Sequence, residues 1–264
     1  MVAHVTTPTA AELDRLPRWA TLVRAQNPGP MTLDGTNTWV LRAPGARESV
    51  VVDPGPDDEG HLAAVAAHAP VRAILITHGH PDHVEGAAHL AELLGGVPVG
   101  VEPPVAEPLK GAGLAIRAVP TPGHTADSVS FHVVVGSEQA VLTGDTILGR
   151  GTTVVAWPDG DLADYLASLR TLAAFDQIPV LPGHGPPLAD CAAAATYYLG
   201  HRQARLEQVR AAVATGAHDA EAVVTTVYAD VDRALWPAAL LSVRAQLDYL
   251  RRESQPTPPG LDRP

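Results

Sequence analysis

Short apolar runs separated by Pro- and Gly-rich breaks fill the first two-thirds of the chain. Thr38–Leu41, Ser49–Val52, Ala73–Ile76, Val97–Val101, Ala115–Val119, Ser128–Val135 and Ala140–Leu142 read as strands, being short, rich in β-branched residues and bounded by turn formers. Asp58–His68, His83–Leu94 and Leu162–Phe175 carry helical spacing, and Asp161 is placed to cap the last of these, with Asp164 in its first turn. Strands and helices interleave, which predicts a layered α/β domain rather than an all-β sandwich.

The pattern changes after Pro187. Ala189–Thr215 is one long Ala-rich helical stretch, followed by helices at Asp219–Tyr228 and Pro237–Arg252. The expected organisation is a first domain over 1–189, a helical appendage over 190–254 joined to it by the long helix, and a frayed Pro-rich tail over 255–264. No internal repeat or low-complexity tract is present.

Composition narrows the function classes. The chain has 264 residues, 46% hydrophobic and 18% charged, which supports a buried core and argues against global disorder. Its net charge of −11 argues against a nonspecific grip on polyanions, although bound cations would reverse the sign locally. Cys191 is the single cysteine, so no intramolecular disulfide is available. Met1–Arg18 lacks an apolar segment after basic residues, and no long uncharged apolar stretch occurs; the expectation is a cytoplasmic protein without signal peptide or membrane span.

The chemistry is concentrated in Thr77-His78-Gly79-His80-Pro81-Asp82-His83, between a strand-like run and a helical pattern. Such a loop, at the carboxyl end of a strand, is where α/β folds place their sites. Residues two apart in an extended loop point the same way, so His78 and His80 can share one ion, while Asp82 and His83 can face a second. His124, Asp145 and His184 each follow a glycine in a turn beside an apolar run. Imidazole and carboxylate donors suit Zn²⁺, and also Mn²⁺, Fe or Co²⁺. The remaining histidines, His4, His61, His68, His89, His132, His201 and His218, read as ordinary polar residues. Asp53, in Asp53-Pro54-Gly55, reads either as a plain turn residue or as a group holding metal ligands by hydrogen bonds.

The HxHxDH segment with His124, Asp145 and His184 in this order resembles the metallo-β-lactamase superfamily. The resemblance implies a four-layer αβ/βα sandwich with two zinc ions at one edge. It implies His78, His80 and His124 on the first ion, Asp82, His83 and His184 on the second, and Asp145 bridging. It further implies hydrolysis by a metal-bridging hydroxide, with Asp82 and Asp145 as catalytic carboxylates and Asp53 supporting the loop. Antibiotic-degrading members usually place Cys within this set; here Cys191 lies outside it.

The resemblance can be narrowed. Asn27-Pro28-Gly29-Pro30, Leu33–Thr38, Ile147–Val155, Asp159–Leu162, His201-Arg202, Val227-Tyr228, Leu235-Trp236 and Ser242-Val243 are similar to the lactamase-beta-like protein 2 group. That similarity implies a C-terminal winged-helix-like domain beside the active-site mouth and, first, cleavage of short single-stranded RNA. The alternative is an acyl hydrolase acting on hydroxyacylglutathione- or carrier-bound thioesters. A non-catalytic metal-binding regulatory module is the third reading. Residues 200–253 contain seven basic and seven acidic side chains, so no duplex-DNA-gripping face is expected. The appendage instead walls the site or forms a subunit contact in a homo-oligomer. Arg150, Thr152, His201 and Arg202 are candidate substrate contacts, the last two on one helical face with Arg205; a solvated or ion-paired face is the competing reading. Trp157 and Trp236 read as packing residues.

Overall fold

The computed structural model describes residues 16–100, 109–111, 113–155 and 157–254. Two sheets form the centre. The first contains β1 (Ala20–Arg24), β2 (Asn37–Leu41), β3 (Ser49–Val52) and β4 (Val71–Leu75), in that order. The second contains β5 (Leu109–Gly111), β6 (Leu114–Pro120), β7 (Val129–Val135), β8 (Glu138–Gly144) and β9 (Val180–Pro182). Each sheet is antiparallel except for its last pair: β3–β4 and β8–β9 are parallel. A parallel pair needs a crossover, and α1 (Glu59–Ala66) and α4 (Leu162–Leu172) lie within these two connections.

Period-two alternation decides the layers. On β3, Val50 and Val52 join the core between the sheets, while Val51 faces the helices outside. On β8, Ala140 and Leu142 turn inward and Val141 outward. The inner core includes Trp19, Trp39 and Phe131. Leu62 and Val65 of α1 and Leu90 of α3 (Ala87–Leu93) cover the first sheet. Leu162, Leu166 and Leu169 of α4, with Cys191, Ala195 and Tyr198 of α5 (Cys191–Ala214), cover the second. The result is the expected four-layer αβ/βα sandwich.

The long helix α5 belongs to two cores. Its first half packs on the second sheet, and Val209 and Ala212 in its second half pack with α6 (Ala220–Val227) and α7 (Trp236–Glu253). The described part of the appendage is helical, with a short 3₁₀ turn at Arg233–Leu235. Asp58, Asp161, Asp190 and Asp219 cap α1, α4, α5 and α6 through their side chains. No helix among the described residues is long and apolar enough to cross a membrane.

Three expectations need correction. The helix expected over His83–Leu94 is two pieces, α2 (Pro81–Val84) and α3, interrupted at Glu85-Gly86. The loop after β3 is stitched into the break: Gly86 N donates to Gly55 O at 2.9 Å and Gly55 N to His83 O at 3.2 Å. A Cβ at Gly86 would stand 2.9 Å from Pro56 O, so only glycine admits that approach. The strand expected over Val97–Val101 reduces to an isolated bridge from Val99 to Ile74, and Val101 lies outside the described residues. Strand β1, absent from the sequence reading, extends the first sheet by antiparallel pairing with β2. The tail over 255–264 also lies outside the described residues.

Leu142 is 1% exposed between the sheets, whereas Leu93 is 53% exposed. Leu142→Ala is expected to lower unfolding free energy by about 2–5 kcal/mol, and Leu93→Ala by less than about 0.5 kcal/mol, as read from urea denaturation of each variant.

Candidate metal centre

Five strands end on one edge of the sandwich, and each delivers polar side chains there. Asp53 follows β3, the His78–His83 loop follows β4, His124 follows β6, Asp145 follows β8 and His184 follows β9. The two sheets are tied at this edge. Asn37 N donates to Gly183 O at 2.8 Å, Asn37 Nδ2 to Pro182 O at 3.0 Å and to Gly185 O at 2.8 Å, and Trp39 Nε1 to Pro182 O at 3.0 Å. These bonds hold the His184 loop of the second sheet against β2 of the first.

All seven expected ligands come together. His78, His80 and His124 form one group and Asp82, His83 and His184 another, each with donor atoms within 4.8 Å of one another. His80 Nδ1 lies 3.0 Å from His78 Nε2 and 3.1 Å from His124 Nε2. In the second group His83 Nε2 and His184 Nε2 are 3.2 Å apart, and Asp82 Oδ2 lies 3.4 and 3.2 Å from them. Asp145 stands between the groups: its oxygens are 3.4 Å from His83 Nε2, 3.4 Å from His184 Nε2 and 3.8 Å from His124 Nε2.

Outward hydrogen bonds set which ring nitrogen faces in. His124 Nδ1 donates to Val154 O at 2.6 Å, His184 Nδ1 to Gly35 O at 3.2 Å and His83 Nδ1 to Asp53 Oδ2 at 2.9 Å. His78 Nδ1 lies 3.0 Å from Thr77 Oγ1, which in turn donates to Asp53 Oδ2 at 2.7 Å. With the proton fixed on Nδ1, each Nε2 presents a lone pair to the centre. His80 departs from this pattern and presents Nδ1. Asp53, 1% exposed with φ at +51°, also accepts from Thr77 N at 2.8 Å. It is therefore more than a turn residue, because it orients His83 directly and His78 through Thr77.

The donor set fits divalent cations. Facing imidazole nitrogens cannot hydrogen-bond to one another without a proton between each pair, and Asp145 Oδ1 is buried with no hydrogen-bond donor. A Cβ at Gly183 would fill the space between the groups, 2.6 Å from Asp145 Oδ1 and 2.7 Å from His83 Cε1. Without a cation the charges settle on the side chains. Burial and the neighbouring His83 ring push His78 down to about 2. Burial opposes charge on His184, but Asp145 outweighs it and lifts that ring to about 9. His83 is also raised, its burial overcome by Asp145 and Asp53, while Asp145 and Asp82 are held below the usual carboxylate range by these rings.

A cavity of about 310 Å³ opens from this edge. His124 and Asp145 line it together with Arg205, Tyr228, Val231, Leu235 and Ala238 of the appendage. Arg150, Thr152, His201 and Arg202, expected to contact substrate, all line it too. Arg150 pairs with Asp34 across the rim, and Thr152 Oγ1 lies 3.5 Å from His201 Nε2. Arg202 is buried rather than solvated, which overturns the exposed-face reading for this residue. Trp157 and Trp236 are partly buried packing residues. Sequence reasoning missed the supporting roles of Thr36, whose hydroxyl donates to Asp82 Oδ2 at 3.0 Å, and of Thr77 and Thr153, which stand at His78 and His124. Their signal was adjacency: each lies in a segment already singled out.

The metallo-beta-lactamase superfamily model matches residues 31–118 and 109–184, which together contain all seven side chains. The chain belongs to the metallo-β-lactamase superfamily. A beta-lactamase-associated winged helix domain matches residues 220–255, so this superfamily member carries the expected appendage. A beta-lactamase-like protein 2 homolog of Drosophila melanogaster is 31% identical over 87% of this chain and 86% of its own length. The atrochrysone carboxyl ACP thioesterase of Aspergillus fumigatus is 34% identical over 76% of this chain and 67% of its own. A β-lactamase domain protein from Burkholderia ambifaria has the same fold, with a TM-score of 0.73, 24% identity and coverage of 90% of this chain and 87% of that one. As a member of this superfamily the protein is a metal-dependent hydrolase.

Two outcomes follow. Asp53→Asn removes the acceptor that fixes His83, and metal affinity measured by chelator competition should fall by about 10–100-fold. In metal-free protein His184 holds a proton up to about pH 9 that the unfolded chain releases near 6.5. That proton stabilises the fold fully below pH 6.5, and its contribution disappears as pH rises through about 9. The urea midpoint of chelated protein should therefore decline across this window. Metal-loaded protein, with cations in place of the protons, should not decline.

Proposed function

We propose that this protein is a binuclear zinc hydrolase of acyl esters or thioesters. In this reading His78, His80 and His124 hold one ion, Asp82, His83 and His184 the other, and Asp145 is shared between them. Bound cations would supply Lewis-acid polarisation of the scissile carbonyl and an activated water nucleophile at neutral pH. The chain's own residues do the rest. Thr36 keeps Asp82 turned toward the centre, Asp53 and Thr77 keep the rings of His83 and His78 in register, and Thr153 with Val154 does so for His124.

The observation that carries the acyl reading is the cavity. It is an open space of about 310 Å³ in which Met31, Leu33, Leu148, Val231, Leu235 and Ala238 offer apolar surface to an acyl chain. The Aspergillus fumigatus relative named as a thioesterase supports the same substrate class. Single-stranded RNA draws less support: a polymer backbone calls for a continuous basic groove, whereas Arg150 here is paired with Asp34, and Arg205 is bonded to Val227 O and Gln208.

Purified protein offered acyl-N-acetylcysteamine thioesters, single-stranded RNA and a chromogenic β-lactam should hydrolyse the thioesters. Chelation should abolish turnover and zinc should restore it. Asp145→Asn should lower thioesterase kcat/KM by more than about a hundredfold, exceeding the effect of removing a group outside the ligand set. RNA cleavage that outpaces thioester hydrolysis and disappears in Asp145→Asn would transfer the assignment to RNA.

A further inference from the structure

Among the described residues, the buried cation Arg202 has no counter-ion. It sits on α5, 4% exposed, in the wall of the cavity that also contains His124 and Asp145. A guanidinium keeps its charge in a protein, and burying it unpaired is costly. Yet Arg202 makes no ion pair among the described residues. Its Nη2 donates to Thr153 O, the Tyr165 ring centroid lies 5.3 Å from its Cζ, and its Nε has no partner. A carbonyl and a ring face offer partial charges and do not neutralise it. The appendage does not supply the missing anion either: its cavity-lining residues include Arg205 and Tyr228 and no carboxylate.

The position of Arg202 says what the anion belongs to. Thr153 holds Arg202 through its carbonyl and lies 3.2 Å from His124 Nδ1 through its hydroxyl; the next carbonyl, of Val154, accepts that ring's N–H. Arg202 and His124 thus hang from the same two-residue segment and line the same cavity, so an anion on Arg202 would share that space with the metal-facing side chains His124 and Asp145. Met31, Leu33 and Leu235 add apolar side chains to the lining of the same cavity. A small, flat carboxylate can take two guanidinium N–H bonds at once, and the cavity suits a short chain.

Resting on the acyl-hydrolase reading, we propose that Arg202 seats the carboxylate of the acyl group, and that the preferred substrates are short carboxylated acyl esters or thioesters. Hydrolysis adds water across the C–S bond: the hydroxyl goes to the acyl carbon, the proton to the sulfur, and the products are a dicarboxylic acid and a thiol.

The test is binding of succinate against succinamide, its neutral analogue, to the full chain by calorimetry, zinc-loaded and again after chelation. Chelation separates Arg202 from direct coordination by the ions. Succinate should bind at least about tenfold tighter than succinamide in both forms, in keeping with a charge-assisted bond. Arg202→Met should erase the preference, and Arg202→Lys should retain part of it. Equal affinity for the two compounds in the unmodified protein overturns the proposal without reference to any variant. So does an unchanged preference in a folded Arg202→Met protein, or binding confined to a uridine dinucleotide. In turnover, succinyl-N-acetylcysteamine should exceed butyryl-N-acetylcysteamine in kcat/KM by a similar factor. If neither thioester is hydrolysed while succinate still binds through Arg202, the acyl-hydrolase reading fails and the anion seat stands.

Discussion

Imidazole rings turned lone pair to lone pair repel one another unless cations or protons stand between them. That constraint governs the carboxyl edge of this sandwich. His78, His80 and His124 gather on one side, His83 and His184 on the other, with Asp82 and Asp145 among them. The fold keeps them there by fixing protons on the far side of four rings, with Asp53, Thr77, Val154 and Gly35 as acceptors. None of these acceptors is replaceable by core packing, because each acts through direction as well as proximity. The stitching of β2 to the His184 loop by Asn37 and Trp39 makes the arrangement a property of both sheets.

The appendage walls part of this edge. The α5 helix starts in the core against the second sheet and ends in the appendage, so one helix joins the appendage to the sandwich beside the candidate metal centre. This turns an open sheet edge into a cavity lined by both polar and apolar side chains. The sandwich carries the candidate metal ligands, and the appendage contributes part of the cavity lining. Charge on the appendage is balanced, and the buried Arg202 lines the cavity.

Legibility in the sequence followed the range of the interactions. The HxHxDH segment packs four donors into six residues, so spacing alone brought them together. The Gly-His and Gly-Asp turns were recognisable because Gly123 and Gly144 take positive φ where each turn leaves its strand. The break at Gly86 was hidden, since its cause is the loop after β3, which is distant in sequence and packs against it. Strand β1 was hidden because its pairing with β2 is what marks it as a strand. Asp53 was ambiguous until His83 and Thr77 were seen at its oxygens. Arg202 looked like part of a solvated helical face, because helical spacing reports which residues share a side and says nothing of what covers it.

Native mass spectrometry of the purified protein, titrated with zinc after chelation, tests the centre of this account most directly. Two ions per chain are predicted, with hydrolytic turnover returning as the second binds. A chain that takes up no zinc, or that regains full turnover with the site empty, would contradict it.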